Sequence, residues 1–322
     1  MIFTHEKYLP IYEELKSSGF AGKLSANTPL AKYTTYGIGG PAAIFAEAWN
    51  STDLELIHRI KNSYNLDSFV IGGGANVLIA DHGFDGIAIK LGGEYADYSS
   101  EGTTIVTGSA VQLNKIVREG CRIGLAGIER LAGIPGLIGG ALVMNAGTFG
   151  ENFDGILREI EVFAGTGAVR KMAPEECGFA YRTSIFQTSN HIILGCTIHG
   201  EKGDPKTLLD TVKERVDRRN RTQPVTHPSC GCVFKNPDGD KSAGRLIDEA
   251  GLKGLRSGGA VISDQHANFI INEGSGKASD VLFLMRTARN KVIETTGIKL
   301  SPEVKGIGFG KSIEEILESS TG

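Results

Sequence analysis

The distribution of glycine constrains this chain more than any other feature. Its 322 residues include 44 glycines, many in short runs: GIGG, IGGGAN, AGIPGLIGGALVMNAG and GLKGLRSGG. Glycine concentrated in this way marks backbone that turns through positive φ or closely approaches another body. Gly72-Gly73-Gly74-Ala75-Asn76 follows an apolar strand, and consecutive glycines there allow several backbone N–H groups to point at one anion. The dinucleotide fingerprint requires a helix directly afterward, but VLIA reads as another strand. Taken alone, the triple glycine is either a tight hairpin or a ligand loop. The second run passes from Gly133 through Pro135, Gly136, Gly139 and Gly140 to Asn145, Ala146 and Gly147. So long a stretch of small residues fills a core poorly, which predicts packing against a large flat body supplied from outside.

The chain is long enough for two or three packed lobes, and 40% hydrophobic residues suit a globular protein. The formal net charge is −3, with lysines and arginines scattered, so the composition offers no footprint of a nucleic-acid binder. The first twenty residues lack an apolar signal-peptide core, and no run has membrane length, so a cytoplasmic protein without membrane insertion is expected. Five irregularly spaced cysteines argue for reduced thiols rather than a disulfide framework. No metal is called for, and oligomeric state is left open.

Thr52 to Glu55 reads as a capping box, with Leu54, Ile57 and Ile60 at helical spacing, which predicts a helix over about 53–63. IAIKL and TIVTGS read as β-rich, LNKIVREGCR as helical, HIILGCTIH as a buried strand, and IEVFAGTGAVRKM as a hairpin turning at Ala164 to Gly167. A charged helix, LLDTVKERVDRRN, leads into QPVTHPSCG, whose prolines and polar residues suit a domain connection. Beyond it come a helix at SAGRLIDEAG, a strand at ANFIIN, and a helix from about Ala278 to Thr296 stopped by Gly297. SIEEILESSTG is a weakly amphipathic tail helix.

In this order and spacing, NTPLAKYTTYGIGG, IGGGANVLIA and AGIPGLIGGALVMNAGTFG resemble the flavin-binding half of the UDP-N-acetylenolpyruvoylglucosamine reductase family, and the resemblance covers roughly residues 25–310. It implies an α+β chain: a two-lobed FAD-binding region of the vanillyl-alcohol-oxidase (PCMH) type, plus a C-terminal α/β substrate-binding domain. The expected divisions are a helical segment at 1–24, the FAD region at 25–205 with lobes of about 25–95 and 96–205, the substrate domain at 206–310, and a tail at 311–322. By the resemblance, the backbone of Gly72, Gly73, Gly74, Ala75 and Asn76 holds the FAD pyrophosphate, with Val77 also against the cofactor. Residues Gly133, Pro135, Gly136, Gly139, Gly140, Asn145, Ala146 and Gly147 line it. These loops contain no histidine, so non-covalent FAD is expected.

Three further elements carry chemistry. Tyr181-Arg182-Thr183-Ser184-Ile185-Phe186 matches the family's YR-x-S-x-F element. An arginine at a strand edge is ordinarily structural or solvated; the resemblance implies that Arg182 stabilises charge developing on the substrate's enolpyruvyl carboxylate, with Tyr181 at the substrate. Cys230-Gly231-Cys232-Val233-Phe234-Lys235-Asn236-Pro237 resembles the family's G-S-x-F-K-N-P element, but Cys232 stands where serine is the usual proton donor. A thiol, with an ordinary pKa of about 8.5, remains a competent donor at neutral pH while protonated, and a nearby arginine would work against that. The residues alone favour a buried structural thiol or a redox pair with Cys230; the resemblance implies the proton donor. Glu303, in SPEV, matches the family's acidic position that assists proton delivery, whereas an isolated glutamate there would be solvated surface. Lys305 stands where arginine is common, and Thr222 where lysine is frequent, with Arg219 or Arg221 available to compensate. Lys235, Asn236 and His266 are candidates for the nucleotide half of the substrate, and His266 serves equally as a strand-end cap.

The implied reaction is reduction of UDP-N-acetylglucosamine enolpyruvate by NADPH through FAD, giving UDP-N-acetylmuramate for peptidoglycan. The short span between Arg182 and Cys232 resembles the type II form. The rival readings are a flavin oxidase on the same fold, which needs neither YRTSIF nor CGCVFKNP, and a catalytically silent flavin- or nucleotide-binding module.

Overall fold

The computed structural model describes residues 6–147, 152–153 and 155–319. In chain order the elements are α1 (Tyr8–Ser17), β1 (Lys23–Pro29), β2 (Pro41–Ala48), α2 (Ser51–Ser63), β3 (Ser68–Val70), β4 (Val77–Ile79), β5 (Phe84–Leu91), β6 (Tyr98–Glu101), β7 (Thr104–Gly108), α3 (Leu113–Ile123) and α4 (Ile138–Val143). They continue as β8 (Leu157–Phe163), β9 (Val169–Met172), β10 (Ile192–His199), α5 (Pro205–Thr222), α6 (Ala243–Glu249), β11 (Arg256–Ser257), β12 (Ala260–Ile262), β13 (Ile270–Asn272), α7 (Ala278–Thr296), β14 (Lys305–Ile307) and α8 (Ile313–Glu318). The mixture is the α+β class expected. Among the described residues no helix is long and apolar enough to cross a membrane. All five cysteines are free thiols.

The chain forms two compact units, one of residues 1–27, 43–73 and 86–218, the other of 28–42, 74–85 and 219–322. The first holds a four-stranded sheet, β1-β2-β5-β3, and a five-stranded sheet, β6-β7-β10-β8-β9. β10 is buried on both faces, which explains its nearly continuous apolar run. Ile193, Cys196 and Ile198 enter one cluster with Ile116, Val117 and Cys121 of α3, while Leu194 enters another with Leu15 of α1 and Ile57 of α2. β8 and β9 form the expected antiparallel hairpin.

Helix α2 begins earlier than its sequence suggested, and the capping box read at Thr52 to Glu55 is corrected. Asn50 is the cap, its side chain accepting from the Asp53 N–H at 3.0 Å. Asp53 is completely buried and accepts from the Trp49 N–H at 2.8 Å and the Ala21 N–H at 2.7 Å. It ties the strand ends to the helix start. Asp53→Ala strands both amides, so a loss of about 2–4 kcal/mol is expected in denaturant unfolding.

The second unit contains a three-stranded sheet, β11-β12-β13, and a parallel pair, β14-β4. Helices α6 and α7 bury Leu246, Ile247, Val281, Met285 and Val292 around Tyr36 and Phe234. The α7 boundaries agree with the sequence reading: Asp81 accepts from the Ala278 and Ser279 N–H groups at 2.7 and 3.1 Å, and Gly297 turns left-handed at φ 73°. The tail helix α8 is docked. Arg289, only 2% exposed, reaches Glu314 at 2.5 Å, and Ile313 packs in the same core.

The run FVIGGGANVLIA is not a hairpin. β3 pairs in parallel with β5, and β4 pairs in parallel with β14. The glycines connect strands of different sheets, which removes the hairpin reading of that loop.

Candidate active site

In the first unit the two glycine runs meet. A Cβ on Gly73 would lie 2.8 Å from Gly136 Cα, and one on Gly72 would reach the Gly140 nitrogen at 4.0 Å. The second run is held by its backbone: the Leu113 N–H donates to Gly136 O at 3.1 Å, Ile138 N–H to Val111 O at 3.0 Å, and Gly139 N–H to Ser109 O at 2.9 Å. Any side chain at Gly73 wedges the runs apart. Gly73→Ala is therefore expected to cost about 1–3 kcal/mol in denaturant unfolding, the usual penalty for forcing extra volume into a packed contact.

The segment carrying Arg182 folds back on the end of this glycine run. The Arg182 guanidinium donates to Gly147 O at 2.9 Å, Ser184 Oγ to Val143 O at 2.6 Å, and Gln187 Nε2 to both Val143 O at 3.1 Å and Arg182 O at 2.9 Å. Asn145, itself at φ 39°, donates from Nδ2 to Ala180 O at 3.0 Å. These bonds fix Arg182 in a left-handed conformation, φ 53°, with its guanidinium 5.2 Å from the centre of the exposed Tyr181 ring. Ser184, the serine of the YR-x-S-x-F element, and Gln187, just beyond it, are supports to which the sequence assigns no role; their polarity inside YRTSIFQ is the available signal.

The remaining candidate residues belong to the second unit. Gly74 turns at φ 64°, and a Cβ there would strike the Tyr33 carbonyl oxygen. Its own carbonyl accepts from the Thr35 N–H at 3.1 Å. Two residues on, Asn76 Nδ2 donates to Glu303 O at 3.2 Å, and Asn76 O accepts from the Lys305 N–H at 3.1 Å, next to the Val77–Lys305 register of β4 and β14. The glycine loop and the Glu303 segment are thereby laced together.

Cys232, half-buried, lies opposite Phe269 in an antiparallel bridge, and Phe234 lies opposite Pro302. The Val233 N–H donates to Asn268 O at 2.9 Å, and Val233 O accepts from the Glu303 N–H at 2.9 Å. Cys232 and Glu303 thus stand on neighbouring extended segments. The Lys235 N–H donates to Ser301 O at 2.9 Å, and Asn236 Oδ1 accepts from the Ala243 N–H at 3.1 Å, tying it to the start of α6.

Charge is concentrated here. Burial lowers the pKa of Arg219, with Cys232 within electrostatic reach and acting the other way. Lys305 is lowered by burial and by Lys235, while Glu303 opposes the shift. Cys230 sits in the core beside Tyr36, and burial pushes both groups well up, so Cys230 is a neutral thiol. His266 is pulled down by burial; its Nδ1 accepts from the Asn268 N–H at 3.3 Å, and its ring meets Phe269 edge-on at 4.9 Å. Gln265 donates from Nε2 to Asn220 O and Arg221 O at 3.3 and 3.2 Å, bracing the end of α5 that carries Arg219.

Features of the first unit fit a flat cofactor. Position 140 has open space where a Cβ would project, and the buried Ser109 hydroxyl beside Gly139 has no partner among the described residues. The comparisons agree. Residues 42–173 match an FAD binding domain, and residues 223–307 match the UDP-N-acetylenolpyruvoylglucosamine reductase C-terminal domain. The chain is 38% identical to UDP-N-acetylenolpyruvoylglucosamine reductase of Heliobacterium modesticaldum over 90% of its own length and 92% of the relative's. The chain belongs to the UDP-N-acetylenolpyruvoylglucosamine reductase family. A second member, from Symbiobacterium thermophilum, is 37% identical over 92% of this chain and 96% of its own. The crystal structure of the family's enzyme from Thermus caldophilus matches with TM-score 0.76 at 39% identity, covering 89% of this chain and 98% of that one.

Proposed function

We propose that Arg182, Cys232 and Glu303 carry the chemistry of an NADPH-dependent, FAD-mediated reduction of UDP-N-acetylglucosamine enolpyruvate to UDP-N-acetylmuramate, a peptidoglycan precursor. The observation that supports this reading best is the seating of Cys232 and Glu303 on hydrogen-bonded neighbours, Glu303 N–H to Val233 O at 2.9 Å. FAD, held by the glycine runs, would supply the hydride chemistry that links NADPH to the β-carbon of the enolpyruvyl ether. The chain's residues do the rest. Arg182 offers a fixed cationic fork to the carboxylate on which enolate charge develops. Cys232 delivers a proton to the α-carbon, and the thiolate left behind is stabilised by Arg219. Glu303 orients the carboxylate and assists return of the proton to Cys232.

Gly72, Gly73, Gly74, Ala75, Asn76 and Val77 face the pyrophosphate in this reading, and Gly133 to Gly147 line the remainder of FAD. Tyr181, Lys235, Asn236 and His266 serve the substrate. Lys235 and Lys305, within electrostatic reach of each other, suit a nucleoside diphosphate, with Arg219 near the end of α5 compensating for Thr222. A cytoplasmic location suits the NADPH and nucleotide substrate that the reading requires, and the functional divisions are those at about residues 25, 96, 206 and 311.

Gly140 supplies an independent check. Ala there is compatible with helix α4 and should stabilise the apoprotein by about 0.5–1 kcal/mol, yet its methyl intrudes on a bound cofactor. Thermal melts with and without FAD are expected to diverge: a gain without the cofactor, and a smaller FAD-induced shift.

Purified protein with FAD should oxidise NADPH rapidly only when UDP-N-acetylglucosamine enolpyruvate is present. NADPH or oxygen consumption unaffected by that substrate would instead mark a flavin oxidase or a silent binding module.

A further inference from the structure

We propose that Asn268 is a positioning residue for the proton-transfer step: its buried carboxamide fixes the segment Cys232 to Phe234 and so sets the direction from which the Cys232 thiol meets the substrate. This rests on the assignment of Cys232 as proton donor. Asn268 is 1% exposed, lies between core residues of the second unit, and follows β12 by a tight turn. Its side chain engages both polar groups of one peptide-bearing residue: Oδ1 accepts from the Phe234 N–H at 3.0 Å, and Nδ2 donates to Phe234 O at 2.8 Å. Its main-chain oxygen takes the Val233 N–H at 2.9 Å, and Phe269 bridges to Cys232 itself.

The carboxamide therefore substitutes for a strand neighbour where the backbone ladder runs out. A hydroxyl, carboxylate or aliphatic group cannot match both bonds, because only the amide has an acceptor and donors on opposite branches of one plane. The turn is itself anchored. Ser263 N–H donates to Phe269 O at 2.9 Å, Ser263 Oγ accepts from the Gln265 N–H at 3.2 Å, and His266 Nδ1 accepts from the Asn268 N–H at 3.3 Å. From the same turn Gln265 holds the carbonyls of Asn220 and Arg221, adjoining Arg219. Residues 263–269 form one hydrogen-bonded piece that contacts the donor segment at one end and the helix end bearing Arg219 at the other.

A residue that merely stabilised the fold would affect both half-reactions alike, or neither. A residue that aims Cys232 affects only the step that uses it. The test compares N268S, C232A and the double variant C232A/N268S, each reconstituted with FAD. Flavin reduction by NADPH and anaerobic reoxidation by UDP-N-acetylglucosamine enolpyruvate are followed separately by stopped flow. In N268S, reoxidation is expected to slow about a hundredfold, as a misplacement near 1 Å would cause, with reduction changed by less than about threefold. In the C232A background the serine substitution should add almost nothing, because a group acting through Cys232 has nothing left to aim. N268Q, which keeps a carboxamide on a longer side chain, should fall between wild type and N268S, and it replaces N268S in the comparison if that variant does not fold.

Wild-type reoxidation in N268S, equal slowing of both half-reactions, or losses that multiply fully in the double variant would each overturn the proposal. Normal reoxidation in C232A would instead overturn the assignment of the donor. In that case the proposal loses its basis.

Discussion

Cys232→Ala is expected to slow reoxidation of reduced flavin by the enolpyruvyl substrate by about 10²–10⁴, the range for loss of a positioned general acid. Reduction by NADPH should remain nearly unchanged. The segment is held by main-chain contacts, Val233 N–H to Asn268 O and Glu303 N–H to Val233 O, and by the carboxamide of Asn268 on Phe234. These contacts run through the main chain and the Asn268 carboxamide, so they persist in the variant. Cys232→Ser restores a hydroxyl donor on the same backbone and should recover much of the loss. The variant thus separates chemistry from folding. Equal loss in both half-reactions would show that Cys232 supports the cofactor site rather than proton transfer.

The second large effect is expected at Arg182. Holding a non-glycine residue at φ 53° costs on the order of 1–2 kcal/mol, and the surrounding bonds maintain it. Arg182→Gly relieves that strain, and the turn keeps the Ala180–Thr183 pairing at 3.0 and 3.1 Å, so stability should change by no more than about 1 kcal/mol. Reoxidation by substrate should nevertheless fall by about 10²–10³, the usual consequence of removing one donor from a site that stabilises developing negative charge. Arg182→Lys keeps the charge without the fork and should lie between them. A stable, fully active Arg182→Gly enzyme would reduce Arg182 to a turn residue.

Legibility in the sequence followed the range of the interactions. Helix α7 was readable because its apolar face and Gly297 stop are local, and β10 because burial on both faces produces an unbroken apolar run. The start of α2 was misread because Thr52 offered an acceptable cap two residues after Asn50, and only the burial of Asp53 against Trp49 and Ala21 decides between them. The glycine loop resembled a hairpin because β3 and β4 are adjacent in sequence, whereas their partners, β5 and β14, have no local signature. Residues 28–42 and 74–85 join a unit composed mainly of the C-terminal third without any change of composition to announce it.

The candidate site shows the same division. Cys232 and Glu303 stand out through motifs, and the 2.9 Å bond from the Glu303 N–H to Val233 O shows how residues so distant in sequence come to lie on neighbouring segments. Asn268 was invisible because its partner, Phe234, is 34 residues away. A polar residue within the apolar run ANFIIN was the available signal. Arg219 surfaced only as one possible substitute for a missing lysine, whereas its burial and its reach to Cys232 depend on where α5 ends.

The most direct test is a single turnover without oxygen. Enzyme reduced with one equivalent of NADPH, freed of NADP and mixed with one equivalent of UDP-N-acetylglucosamine enolpyruvate should recover its oxidised flavin spectrum and yield one equivalent of UDP-N-acetylmuramate. Flavin that stays reduced until oxygen is admitted, with the enolpyruvyl nucleotide recovered intact, would contradict the account.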